Sequence, residues 1–429
     1  MTIIILFRMI LNRYLPSLIP YLYIMNRSIA LLLFLLGFSH CTLAQFMTRE
    51  DSLNAGLSPN SRSVILSAYG EAKYAYHADN GTAQANLTRN ILFVGYRFNP
   101  KITFFSELEL EDAKVDGSGG EISLEQAVLK FDLNRNHYLL AGLFIPRIGI
   151  INENHLPTTF NGNDRHEVET RILPSTWREI GVGYYGMSDR IPGLNWSLGI
   201  MNGLDASGIS GSNGIRDARF EGRRATGSNL GTTASLLYYY RNFRFQLSGY
   251  YGGTVGLPAR SADSLGLDSG PFGTPVALGE FNLQYRRSGW TIKALASTVS
   301  VPDADRLNTA FAKNVASSMY GYFVEAGYNL LERSKKQNKQ RQLIVFSRYE
   351  GLDQMASVPD NGIRDELYHL QFLIMGLTYQ PTGGVSIKFD WKHVTSGEPE
   401  PTLNFNPSPT APGIERVNDF LQLGLAYSF

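Results

Sequence analysis

A single cysteine, Cys41, occurs in the 429 residues. Without a second thiol there is no disulfide framework, and a zinc site built on thiolates is excluded as well. Excess charge of either sign is missing too: 39 Lys and Arg face 38 Asp and Glu. Nothing in that balance asks for nucleic acid as a partner. Past the N-terminus no apolar run reaches the roughly 18 residues that a spanning helix requires. Histidines are few, and His137, His155, His166, His369 and His393 stand beside no nucleophile in a recognisable catalytic motif. Neither an enzyme, nor a cofactor, nor a resident metal is therefore expected. What the chain does have is 42 Gly, 23 Tyr and 24 Phe, the composition of many strands and turns.

The N-terminus reads as a targeting segment. In "MNRSIALLLFLLGFSHCTLAQ", Arg27 supplies the positive start, Ile29 to Phe38 the apolar core, and Thr42-Leu43-Ala44 a small-residue cleavage site. Cleavage is expected after Ala44, with residues 1–24 as upstream sequence that a start at Met25 omits. The competing reading is an N-terminal membrane anchor. His40, before Cys41, argues against lipidation. Losing residues 1–44 removes Arg8, Arg13 and Arg27 and no acid, which turns the net charge from +1 to −2.

From Ser61 onward apolar residues alternate with polar ones at a period of two, the signature of strands with one greasy face. "GGVSIKFDWKH" sets Val385, Ile387, Phe389 and Trp391 against Ser386, Lys388, Asp390 and Lys392. "KITFFSELELED" sets Ile102, Phe104, Leu108 and Leu110 against Thr103, Glu107, Glu109 and Glu111. In a secreted sandwich the connections at both ends would be even. Here every second one is tight, as in "RN" at 241–242 and "RSG" at 287–289. Those between are long, notably 150–174, 203–231, 253–276, 301–317 and 394–418. Short turns at one rim and long loops at the other mark an all-β, transmembrane antiparallel barrel of the outer membrane, with periplasmic turns and extracellular loops.

Candidate strands begin near 63, 88, 101, 122, 137, 176, 194, 232, 243, 277, 290, 318, 342, 367, 384 and 419, sixteen in all. Alternation slips at 122–133, 137–149 and 367–380, so fourteen or eighteen stay open. The organisation expected is a signal at 1–44, a short periplasmic segment at 45–60 and the barrel at 61–429. Only "QFMTREDSLNAGLSPN" separates the cleavage site from the first strand, too little for a plug, so an open pore narrowed by loops is expected. The basic turn "ERSKKQNKQRQ" at 332–342 reads as solvated.

The chain ends "DFLQLGLAYSF". Leu421, Leu423, Leu425, Tyr427 and Phe429 form one face, which would touch lipid while the strand closes the barrel against the first. A terminal aromatic with apolar residues at every second position before it resembles the assembly signal of outer-membrane barrels, which implies the barrel-assembly machinery as a partner.

Sixteen strands leave an aqueous channel unless something fills it. The expected constriction is the connection Asn152 to Glu179, where Asp164, Arg165, His166, Glu167, Glu169 and Arg171 could line an eyelet. An external loop with solvated charges is the alternative. The lumen-facing set is mixed: Arg97, Lys130, Arg244, Arg286, Lys293, Lys388 and Lys392 beside Glu71, Glu107, Glu109, Glu111, Asp132, Glu280, Glu325 and Asp390. Three glutamates on one face need water or partners, which supports a water-filled lumen and argues against simple anion selectivity. For any one of these residues a wall salt bridge that only stabilises the lumen is the competing reading, and the favoured one over a binding role. Arg216, Arg219, Arg223 and Arg224 form the densest basic cluster, either a solvated loop or a contact for lipopolysaccharide phosphates.

"AGLFIPRIGIINENHLPTTFNGNDRHEVETRILPSTWREIGVGYYG" and "MNGLDASGISGSNGIRDARFEGRR" resemble bacterial outer-membrane porins of the phosphate-selective porin O/P-like family. The resemblance implies a homotrimeric diffusion channel in outer-membrane lipid, its third loop folded inward, passing small hydrophilic solutes or ions. It does not by itself fix phosphate as the substrate. A barrel hydrolase and an adhesive or structural barrel with functional loops are the competing readings.

Overall fold

The computed structural model describes residues 63–116, 119–332, 341–399 and 415–429. The expected signal and periplasmic segments, and most of the basic turn at 332–342, lie outside the described residues. The first quarter of the barrel is β1 (Ser63–His77), β2 (Thr82–Asn99), β3 (Ile102–Asp116) and β4 (Gly119–Asp132). It continues through β5 (His137–Phe144), β6 (Glu179–Met187), β7 (Leu194–Asn202) and β8 (Leu230–Tyr240). The next strands are β9 (Phe243–Gly252), β10 (Val276–Arg287), β11 (Trp290–Ser300) and β12 (Ser318–Asn329). Last come β13 (Gln342–Ser357), β14 (His369–Thr382), β15 (Val385–Ser396) and β16 (Val417–Ser428).

Each strand pairs antiparallel with its sequence neighbours, and β1 with β16, so that sixteen strands make one closed barrel. The closing register runs from Tyr69 opposite Ser428 to His77 opposite Phe420. It extends to the last residue: the Phe429 amide donates to the Ala68 carbonyl at 2.9 Å, and the Ala68 amide donates back at 3.0 Å. A chain end tied by two backbone bonds has nothing to fray. Among the described residues no helix is long and apolar enough to cross a membrane.

The period-two pattern faces the way the sequence suggests. On β16, Leu421, Leu423 and Leu425 point outward, with Leu425 57% exposed, while Gln422 between them is 4% exposed. On β15, Ile387 and Phe389 lie outside and Ser386, Lys388 and Asp390 are buried inside. A barrel with its oily residues outward is built for hydrocarbon, where closure leaves no backbone donor unpaired. Aromatic rings crowd the short-turn rim: Phe243 against Tyr285 at 4.7 Å, Trp290 against Tyr328 and Tyr96 against Phe98 at 4.9 Å. Rings with one apolar and one wet side suit the edge of an apolar belt.

Two departures from the sequence reading have physical causes. First, β2 begins at Thr82, six residues before the expected 88, because "TAQAN" pairs with β1 although it carries little apolar signal. Second, alternation slips in β4 because of a bulge. Glu107 pairs with Gln126 and Leu108 with Leu124, which leaves Glu125 as the extra residue. A bulge turns consecutive side chains to one face. Glu125 accepts a bond inside the barrel from Tyr69, and Gln126 donates to Glu107.

The interior is also less wet than expected. Phe93, Phe105, Phe323, Phe346, Phe372 and Phe420 are buried on the inner wall, packed with Ile148, Val168, Ile172, Leu173 and Trp177 of the β5–β6 connection. Loops therefore fill much of the barrel with a second apolar core.

An expected outcome follows for the outward belt. Leu423→Arg, in mid-strand, should cost about 2–4 kcal/mol in a bilayer, read as a lowered urea midpoint in phosphatidylcholine vesicles. Leu423→Ala should cost clearly less. Equal effects would mean that Leu423 does not face hydrocarbon.

Candidate functional site

The connection between β5 and β6, residues 145–178, turns into the barrel and crosses it. Gly149 makes the first anchorage, its amide donating to Glu280 Oε2 at 3.3 Å and its carbonyl accepting from Gln246 at 3.2 Å. The Thr158 carbonyl accepts from Gln380 at 2.7 Å, and Asn161 Nδ2 donates to Glu325 at 3.0 Å. The Asn163 amide donates to Asp390 at 2.8 Å. Asp164 then bridges three strands, with Oδ1 2.6 Å from Lys73 Nζ and Oδ2 3.0 Å from Lys392 Nζ. Gln422 donates to the same Oδ2 at 3.1 Å. The loop touches β9, β10, β12 and β14, and β1, β15 and β16, so it is no external loop.

A short helix, α1 (Glu167–Arg171), follows. Val168 of α1 packs on β12 where the wall residue is Gly321; a Cβ there would meet Val168 Cγ1 at 2.8 Å. The helix can lie this close only because Gly321 has no side chain. The Val168 amide donates to Glu350 Oε2 at 3.1 Å. Arg348, almost fully buried, is 2.9 Å from Glu350 and 3.4 Å from Glu325 and donates to the Asp164 carbonyl at 3.2 Å. Buried charges persist only when partnered in this way.

Between the loop and strands β1–β3, β15 and β16 lies a cavity of about 330 Å³. Its charged lining is Lys73, Arg89, Arg165, Arg171, Arg216 and Lys392 against Glu71, Glu111, Asp164 and Glu167. Most of these are paired: Arg89 with Glu71 at 2.8 Å, Lys392 with Glu167 at 2.6 Å, and Arg171 with Glu167 at 3.1 Å. Arg165 differs, since its Nε and Nη2 are buried without a hydrogen-bond partner.

Six loop residues were expected at an eyelet. Asp164, Arg165, Glu167 and Arg171 line the cavity. His166 and Glu169 do not; they brace the loop from within. His166 stacks on Phe323 at 4.0 Å with Nδ1 2.7 Å from Glu169 Oε2, while Glu169 Oε1 accepts from the Ile151 amide at 2.8 Å. Of the expected wall residues, Glu71, Glu111 and Lys392 reach the cavity. Glu107, Glu109, Glu280, Lys293, Lys388 and Asp390 are inward but buried. Lys130 pairs with Asp132 at 2.8 Å, Arg244 pairs with Glu153 of the loop, and Arg286, near the short-turn rim, is exposed. Arg97 lies on the inner face of β2, like Phe93, near the same rim. Glu107 and Glu109 are buried against protein, Glu107 accepting from Gln126 at 2.8 Å and Glu109 lying 3.6 Å from Arg89, rather than facing an open lumen. Arg216 and Arg219 are no solvated loop either, donating to the Thr170 and Ser175 carbonyls at 3.3 and 3.4 Å, whereas Arg223 and Arg224 are exposed. Lys73, Arg89 and Arg348 were missed. Arg89 sat at the edge of a strand placed too late, and the other two matter only through distant partners.

Burial alone would raise the Asp164 carboxyl, but Lys392 and Lys73 outweigh it and hold it well below the usual carboxylate range. Burial likewise opposes Glu167, where Lys392 and Arg171 prevail and lower it.

No family model matches the chain. An uncharacterized protein of Aquifex aeolicus is 28% identical over 358 residues, covering 79% of this chain and 78% of the relative. Two solved structures share the barrel architecture. Salmonella typhi OmpF, in complex with daunomycin, superposes with a TM-score of 0.51 at 11% identity, covering 87% of this chain and 99% of OmpF. The anion-selective porin of Comamonas acidovorans gives 0.51 at 10% identity, covering 86% of this chain and all of that porin. At such identities the likeness is one of fold.

Asp164→Asn leaves Lys73 and Lys392 without their shared carboxylate. The expected loss is about 1–3 kcal/mol at pH 7, below the full cost of a buried pair because Asp164 is partly exposed. A carboxyl depressed in the folded state stabilises above its unfolded pKa of about 4, and the effect fades as pH falls through the depressed value. The gap between wild type and Asp164→Asn, read from denaturant midpoints, should therefore narrow in acid. A pH-independent gap would contradict the docking role.

Proposed function

We propose that the protein resides in the outer membrane and forms a passive channel for small hydrophilic solutes and ions, without catalysis. One observation carries this reading. The inward loop seals part of the barrel with apolar and ion-paired contacts yet leaves, against β1–β3, a cavity ringed by charged side chains. Charges held by their neighbours act on a passing solute without having to reorganise. The outward oily belt and the barrel architecture shared with two porins support the membrane setting.

The cavity also suggests a preference. Six cations face four carboxylates, and the guanidinium of Arg165 keeps two unpartnered nitrogens. The local field is positive and favours small anions, which agrees with the resemblance to phosphate-selective O/P-like porins. Inorganic phosphate belongs to the solutes we assign. The same resemblance supports a homotrimer inserted by the barrel-assembly machinery, with Arg223 and Arg224 exposed where lipopolysaccharide would lie.

Planar-bilayer recording tests the reading. Wild type is expected to give stepwise ohmic conductance, with a reversal potential of anion-preferring sign in a KCl gradient. Arg165→Gln should move that potential toward cations. Absence of conductance from folded protein would end the channel reading; an unmoved potential would take Arg165 out of the path.

A further inference from the structure

We propose that Glu107, Glu125 and His155 form a binding site for one divalent transition-metal ion of the zinc class, joining the inward loop to the barrel wall. Glu107 stands on β3, Glu125 on the β4 bulge and His155 in the loop, and each is at most 2% exposed. Their donor atoms all lie within 4.8 Å of one another. His155 Nε2 is 3.4 Å from Glu125 Oε2 and 3.6 Å from Glu107 Oε2.

Those separations exceed the favoured N···O distance of about 2.9–3.0 Å. Neither ring nitrogen of His155 has a hydrogen-bond partner, and neither does Oε1 of Glu107 or Glu125. Four buried polar atoms left unpartnered in one place is an expensive arrangement. The same distances suit a metal. Ligands at about 2.0–2.2 Å around a tetrahedral ion stand about 3.3–3.6 Å apart. Two carboxylates and a neutral imidazole would balance the charge of a divalent ion, removing the cost of burying two anions.

The donor set selects the ion class. Calcium asks for six to eight oxygens and magnesium for an octahedron rich in water, whereas imidazole with carboxylates suits zinc and its neighbours. Both carboxylates are already oriented: Tyr69 donates its hydroxyl to Glu125 Oε2 at 3.0 Å, and Gln126 donates to Glu107 Oε2 at 2.8 Å. Such outer partners fix ligand geometry in metal sites. The lack of a second thiol excludes thiolate sites alone.

The site does not depend on what crosses the barrel, so its test avoids transport. Full-length protein in detergent, stripped with a chelator, is titrated with Co²⁺ and followed by visible absorption. One Co²⁺ per chain with intense tetrahedral bands, displaced by Zn²⁺, is expected. His155→Ala and Glu125→Gln should abolish the bands. Tyr69→Phe, which keeps every ligand, should weaken binding about 10–100-fold and carries the test if the ligand variants fail to fold. No saturable binding by wild type, or unchanged bands in folded His155→Ala, would overturn the proposal; a proton on His155 would then hold the two glutamates.

Discussion

Everything in this molecule rests on the closing ladder between β1 and β16. A sheet edge exposed to hydrocarbon leaves donors and acceptors unpaired at several kcal/mol each, and only a closed sheet avoids that. Closure turns one face of every strand outward and the other inward, which dictates where each oily and each charged side chain must go. The bonds between Phe429 and Ala68 extend the ladder to the final residue, so the aromatic end belongs to the wall.

Closure also creates the problem that the interior solves. A ring of sixteen strands encloses more space than its inward side chains fill. The chain answers by sending residues 145–178 across the lumen. There Trp177, Ile172 and Val168 bury themselves against inward phenylalanines, and Asp164, Asn161 and Asn163 satisfy wall groups. The interior is thus a protein core on one side and a charged cavity on the other. Gly321 lets the helix approach the wall, and Arg348 ties the loop backbone to two wall glutamates.

How much of this was legible depended on whether the signal was local. Alternation within each strand is local, so "LQLGLAYSF" and "SIKFDWK" disclosed their faces, and the sixteen segments were all found. The β4 bulge is a property of pairing, not of "EISLEQAVLKFD" alone, so Glu125 went unnoticed. The mixed charges of "NGNDRHEVETR" singled out the segment that enters the barrel but not which of its residues face the cavity. Asp164 faces the cavity while His166, two residues on, lies buried against Phe323. The partners Lys73 and Arg348 carry no mark in their own neighbourhoods; their importance comes from residues far along the chain.

That remoteness bears on how the protein comes to exist. Asn163 and Asp390 are 227 positions apart, and Asp164 and Gln422 are 258 apart. Contacts so distant in sequence form late, since the intervening chain must be gathered first. The crossing segment is synthesised before β9 to β16, which receive most of it. Its contacts with Asp390, Lys392 and Gln422 can form only once β15 and β16 are in place. A chain halted short of β15 would keep the anchorages on β9 to β14 and lose those of Asp390, Lys392 and Gln422.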